Sequence, residues 1–74
     1  MEGSLNRNQI IQQAKEILSR YGYKKTSTEL IARALNKTKS ALYYYFKNRD
    51  EIIKAVIEHE ANNLKKHILE AVSQ

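Results

Sequence analysis

The sequence predicts an all-α domain made of three short helices and the beginning of a long fourth. Three observations carry this. Apolar residues recur at spacings of three and four along most of the chain. Helix-capping residues stand at Asn6, Ser27, Thr38 and Asn48, each just ahead of such a stretch. The 74 residues contain no proline and only two glycines, Gly3 and Gly22, so little interrupts helical geometry. At this length the chain is at most one small domain, close to the size at which a single hydrophobic core becomes marginal.

Ile10, Ile11, Ala14, Ile17, Leu18 and Tyr21 define one face of the first helix, expected over 7–21. Asn6 with Gln9 three residues on can form a capping box, and Gly22 supplies the left-handed residue that ends the helix. Lys24 to Thr26 is a polar connection. Ser27 then caps a second, short helix whose apolar face is Ile31, Ala34 and Leu35. Asn36-Lys37 breaks the pattern, since asparagine is the non-glycine residue best suited to positive φ. Thr38 caps again at once, and two short helices about three residues apart have the spacing of a helix-turn-helix, here 27–46.

The third helix is expected over 39–46. At 100° per residue, Ala41, Leu42, Tyr45 and Phe46 fall on one broad side, while Lys39, Ser40, Tyr43, Tyr44 and Lys47 fall on the other. Four consecutive aromatics cannot all point inward on a helix, so some must face out between Lys39 and Lys47. Asn48 opens the fourth helix, with Glu51 placed to close a capping box and Asp50 in the first turn, where the helix dipole favours anions. Its apolar face is Ile52, Ile53, Val56 and Ile57, continued more thinly by Leu64, Ile68 and Val72. No breaker follows, so it can run about 25 residues, roughly 37 Å. Three short helices cover only its first half.

Charge is concentrated in the middle third. The chain carries +5, but residues 20–49 hold eight Lys and Arg against Glu29 alone, a net +7, while residues 1–19 balance and residues 50–74 are net −2. Such a block fits a polyanionic partner. There is no cysteine, hence no disulfide and no thiolate for zinc or nucleophilic attack. No apolar run approaches the roughly 20 residues that cross a bilayer, and no export signal is present. The expected compartment is the cytoplasm, with no membrane partner.

A helix-turn-helix binds DNA by laying its second helix in the major groove. That helix needs small or hydrogen-bonding residues near its N-terminus, which Lys39, Ser40 and Ala41 supply. Cations and hydroxyls must hold the phosphates, and Tyr43, Tyr44, Lys47 and Arg49 fit that task. Ser27 and Thr28, with free amides at the start of the preceding helix, add a further phosphate contact.

Gly22-Tyr23, Thr26-Ser27-Thr28, Ile31-Ala32, Thr38-Lys39, Leu42-Tyr43-Tyr44-Tyr45-Phe46 and Lys47-Asn48-Arg49 together resemble the N-terminal domain of TetR-family transcriptional regulators. The resemblance runs from about Asn8 to Val56, and its most specific part is the Leu-Tyr-x-x-Phe block. It implies a three-helix, homeodomain-like DNA-binding domain over 7–57. It also implies a homodimer on a palindromic operator, usually a repressor released by a small molecule. In that family the positions of Lys39, Ser40, Ala41, Tyr43 and Tyr44 touch DNA, and the position of Arg49 commonly grips a phosphate. Asn36 stands where the family prefers glycine, Lys37 where it prefers an apolar residue, and Glu29 where a basic contact is frequent. Family members continue into a helical domain that binds ligand and forms the dimer. Residues 58–74 are therefore expected to lead toward such a domain, with any inducer bound outside this chain.

Other signals are weaker. His59-Glu60 begins like a zinc-protease helix motif, but Asn63 occupies the place of the second histidine. His67 completes no ligand set, so no metal or cofactor is expected. Asn36-Lys37-Thr38 matches a glycosylation sequon without a secretory signal. No nucleophile has a histidine partner, and an enzyme is not expected. The rival class is a three-helix protein-interaction module using the Tyr-rich helix, since tyrosine also dominates interfaces. Interface cores are depleted in lysine, however, and Lys39 and Lys47 bracket this helix.

Overall fold

The computed structural model describes residues 4–73, arranged as α1 (Arg7–Tyr21), α2 (Thr28–Ala34), α3 (Lys39–Tyr43) and α4 (Arg49–Val72). Gln74, the last residue of the expected fourth-helix segment, lies outside the described residues. The fold is all-α, with α1 packed on α4 and on α2, and α2 packed on α3.

Local chemistry sets each boundary. Asn6 Oδ1 accepts from the Gln9 amide at 2.8 Å, and Gln9 Oε1 accepts from the Asn6 amide at 2.9 Å, which completes the expected capping box. Gly22 closes α1 at φ 89°, its amide donating to Leu18 O at 2.9 Å. Ser27 Oγ caps α2 by accepting from Leu30 N. The end of α2 is a Schellman motif, in which Lys37 N donates to Ala32 O at 2.8 Å and Asn36 N to Arg33 O at 3.0 Å. That motif requires the left-handed residue, and Asn36 provides it at φ 59°. Thr38 Oγ1 then caps α3 through Ala41 N.

Two boundaries differ from expectation. The third helix ends at Tyr43, not at residue 46. The amides of Tyr45 and Phe46 both donate to Leu42 O, at 2.9 and 3.0 Å, which tightens the chain into a turn. That turn still delivers Phe46 to the core before Asn48 caps α4 through Glu51 N. Only this half of the expected second capping box forms among the described residues.

The core is built from Ile10, Ile11, Ala14 and Ile17 of α1, Ile31 and Ala32 of α2, Leu42 and Phe46 around α3, and Ile52, Ala55 and Val56 of α4. On α4 the inward stripe is 52, 55, 56 and 59, the spacing of one helix face. Ile57, expected to be inside, is 60% exposed, and Ala55 takes its place at 4%. Leu64, Ile68 and Val72 do not continue the core face either. With Ile57 and Ala61 they form a second stripe on the opposite side of α4, and all are exposed. Lys15 Nζ of α1 meets Glu60 Oε2 of α4 at 3.0 Å where the core ends.

Candidate nucleic-acid interface

Leu42 orients α3. It is fully buried, so the rest of the helix is fixed around it. Ala41 and Tyr45 become half-buried, while Lys39, Ser40, Tyr43, Tyr44 and Lys47 become exposed. The two sides are those expected from the helical wheel. Tyr43 is 46% exposed and Tyr44 82%. Both therefore present ring surface to solvent beside the cations of this face.

Tyr44 is supported from behind. Its ring meets Tyr45 edge-on, with centroids 4.9 Å apart and planes at 84°. Tyr45 is anchored in turn, its hydroxyl donating to Leu5 O at 2.6 Å across forty residues of sequence. Arg7 adds a second tie, its guanidinium lying 4.9 Å from the centroid of the Phe46 ring. Tyr45 lies on the core side, as its place on the wheel predicts, but its partner carries no sequence signal. Nothing in residue type or spacing marks a backbone carbonyl so far away.

Beside α3, Glu29, Ala32, Arg33, Asn36, Lys37 and Lys39 line an open groove of about 290 Å³. Lys37, where the family prefers an apolar residue, is exposed and adds its charge to this groove. Glu29, the acid of the basic block, lies 3.9 Å from Arg33 one turn along α2. The pair is exposed, so each charge offsets the other in the local field more than it stabilises the helix.

Two expected phosphate ligands sit differently from the rest. Thr28 is only 7% exposed, whereas Ser27 remains half-exposed. Arg49 is not an outstretched cation. Its Nη1 donates to the carbonyls of Tyr23 and Thr26, both at 3.1 Å, and the guanidinium lies 4.3 Å above the Tyr23 ring. Nothing in residue type or spacing signals these partners, which are backbone carbonyls more than twenty residues away.

Among the described residues, no group of three His, Cys, Asp or Glu is placed to hold a metal ion. No helix there is long and apolar enough to cross a membrane.

Comparison with known proteins agrees with the geometry. Among curated proteins, the chain is 29% identical over 63 residues to a protein of Bacillus subtilis (strain 168) described as an uncharacterized HTH-type transcriptional regulator, YhgD. That match covers 85% of this chain and 33% of the relative, so the chain spans about a third of the relative's length. No solved structure matches the chain. The family model of bacterial regulatory proteins, tetR family, matches residues 10–56, from the first core isoleucine of α1 to the last core valine of α4. With that match running through the capped α2–turn–α3 unit and covering most of its length, the chain belongs to the tetR family of bacterial regulatory proteins.

Proposed function

We propose that this chain is the DNA-binding part of a transcriptional regulator and that α3 enters the major groove. One observation carries the reading. Lys39, Ser40 and Tyr43 on α3, with Tyr44 and Lys47 in the turn that follows it, are all exposed on the unit presented by the Asn36 turn, inside the stretch that holds +7. Ser40 and the half-buried Ala41 lie near base edges, because their small side chains let the backbone approach. Lys39, Lys47 and the hydroxyls of Tyr43 and Tyr44 hold phosphates and fix the register. Ser27 and Thr28 add a contact at the start of α2, Ser27 through its half-exposed side chain and Thr28, which is buried, through its backbone amide.

The wider reading follows the family resemblance. A homodimer, completed by chain beyond residue 74, binds a palindromic operator as a cytoplasmic repressor. A small molecule bound outside these 74 residues releases it. Support comes from the relative's greater length and from the uncovered apolar stripe of α4.

The test is a titration of duplex DNA at several salt concentrations. Log affinity is expected to fall linearly with log salt, by about 0.9 per phosphate neutralised. Lys47→Ala should reduce that slope by about one phosphate's worth while leaving helix content intact. A salt-independent affinity, or no binding to any duplex at low salt, would overturn the reading.

A further inference from the structure

Arg49, the first residue of α4, is committed within the protein. Both protons of Nη1 are used, one on Tyr23 O and one on Thr26 O, each at 3.1 Å. The Tyr23 ring covers one face of the guanidinium at 4.3 Å. Asp50 Oδ1 stands 3.5 Å from Nη2 and offsets part of the guanidinium charge. The side chain is only 29% exposed.

The groups it binds belong to one small structure. In residues 22–27, Thr26 Oγ1 donates to Gly22 O at 2.8 Å and Thr26 N donates to Tyr23 O at 3.2 Å. Thr26 is fully buried, and its carbonyl is followed directly by Ser27, the cap of α2. Arg49 therefore ties the start of α4 to the entry of α2, the helix against which α3 packs.

We propose that Arg49 is a positioning residue. It holds the 22–27 loop, and through it α2 and α3, in the orientation that meets DNA, and it does not itself neutralise a phosphate. This rests on the DNA-binding reading above. Guanidinium is required because its planar fork reaches two carbonyls and stacks on an aromatic ring at once, whereas a lysine ammonium is a point charge on a flexible stem.

The experiment titrates the 74-residue chain, Arg49→Ala, Arg49→Lys, Tyr23→Leu and the Arg49→Lys/Tyr23→Leu double variant. The probe is a labelled random-sequence duplex pool, about 20 base pairs long, at several salt concentrations. Each measurement is made at a temperature where circular dichroism shows the variant fully helical. A role in global stability alone would lower the melting temperature and leave the affinity of folded protein unchanged. The expected result is a loss of at least about fivefold for both Arg49 variants, with the salt slope of the wild type retained. Tyr23→Leu should weaken binding in the same direction, and the double variant should be no weaker than Arg49→Lys alone, because both act on one network. If Arg49→Ala does not fold, Arg49→Lys and Tyr23→Leu decide.

A slope reduced by about 0.9 in Arg49→Ala and restored in Arg49→Lys would identify a phosphate contact and overturn the proposal. Wild-type affinity in Arg49→Lys would overturn it as well. Absence of wild-type binding to any duplex would bring down the DNA-binding reading, and the positioning role with it. That result is distinct from a wild type that binds and a lysine variant that matches it.

Discussion

Gly22 and Asn36 occupy positive φ for different purposes, at 89° and 59°. Asn36 sits in the left-handed helical well, which asparagine tolerates at modest cost. Gly22 pairs φ 89° with ψ 169°, a region open essentially to glycine alone. A Cβ at Gly22 would meet nothing within 4 Å, so any penalty there is purely one of backbone conformation. Gly22→Ala is expected to lower stability by about 1–3 kcal/mol in chemical denaturation. Asn36→Gly should leave stability unchanged or raise it slightly. An alanine at residue 22 without measurable cost would mean that the loop relaxes, and that the Thr26–Gly22 hydrogen bond does not hold it. Both positions were legible in the sequence, because glycine and asparagine carry their backbone preference in the residue itself. Arg49 was not. Its residue type suggests a charge offered to DNA, and only the tertiary fold reveals that Nη1 donates to two backbone carbonyls.

Among the elements, the contact between α1 and α4 has a charge-dependent part. The Lys15 ammonium, through its hydrogen bond first and its charge second, holds the Glu60 carboxyl below the usual carboxylate range. A depressed folded value means the stabilisation is present above the ordinary carboxylate range and is lost as pH falls through the lowered one. The pair is exposed and screened, so its effect is best read at the residue. Titration of the Glu60 side-chain carbonyl by NMR should show the lowered midpoint in the wild type and a return toward the ordinary value in Lys15→Ala. Identical midpoints would mean that the bridge is not populated in solution. The caps of all four helices could be read in advance, since each depends on one side chain and an amide two or three residues on. The end of α3 could not, because both Tyr45 and Phe46 amides turn to a single carbonyl to bring Phe46 inward. The pairing of Lys15 with Glu60 was hidden for the same reason as that of Arg49. It spans elements that sequence spacing does not align.

For the molecule as a whole, α4 is a two-sided object. Ile52, Ala55 and Val56 close the core, and Ile57, Leu64, Ile68 and Val72 point away from it. Reading Leu64, Ile68 and Val72 as a continuation of the core face runs two stripes together, although 100° per residue already sets them on opposite sides of the helix. Three short helices cannot reach the outer stripe, so the distal part of α4 is held by its own hydrogen bonds alone. Helical segments without tertiary support are marginal in water. Amides beyond about residue 62 are therefore expected to exchange rapidly, while those of Ile17, Leu42 and Val56 stay protected. Uniform protection to the end of α4 in the 74-residue chain would show that the outer stripe is covered, and sedimentation would then reveal self-association.

The hydroxyl of Tyr45 on the carbonyl of Leu5 has a consequence for how folding can be watched. The bond joins residue 5 to residue 45 and so closes a ring around more than half the chain. In the folded chain α1 is also held on α2 and α4 by the core, so the bond does not bear the entropy of closing so large a loop alone. The chain has no tryptophan and five tyrosines, so its near-ultraviolet optical signal is tyrosyl. A phenol that donates to a carbonyl absorbs and emits differently from one in water, and Tyr21, Tyr23, Tyr43 and Tyr44 are exposed. Tyr45 is thus a built-in optical reporter of the moment when the segment before α1 seats against the turn after α3.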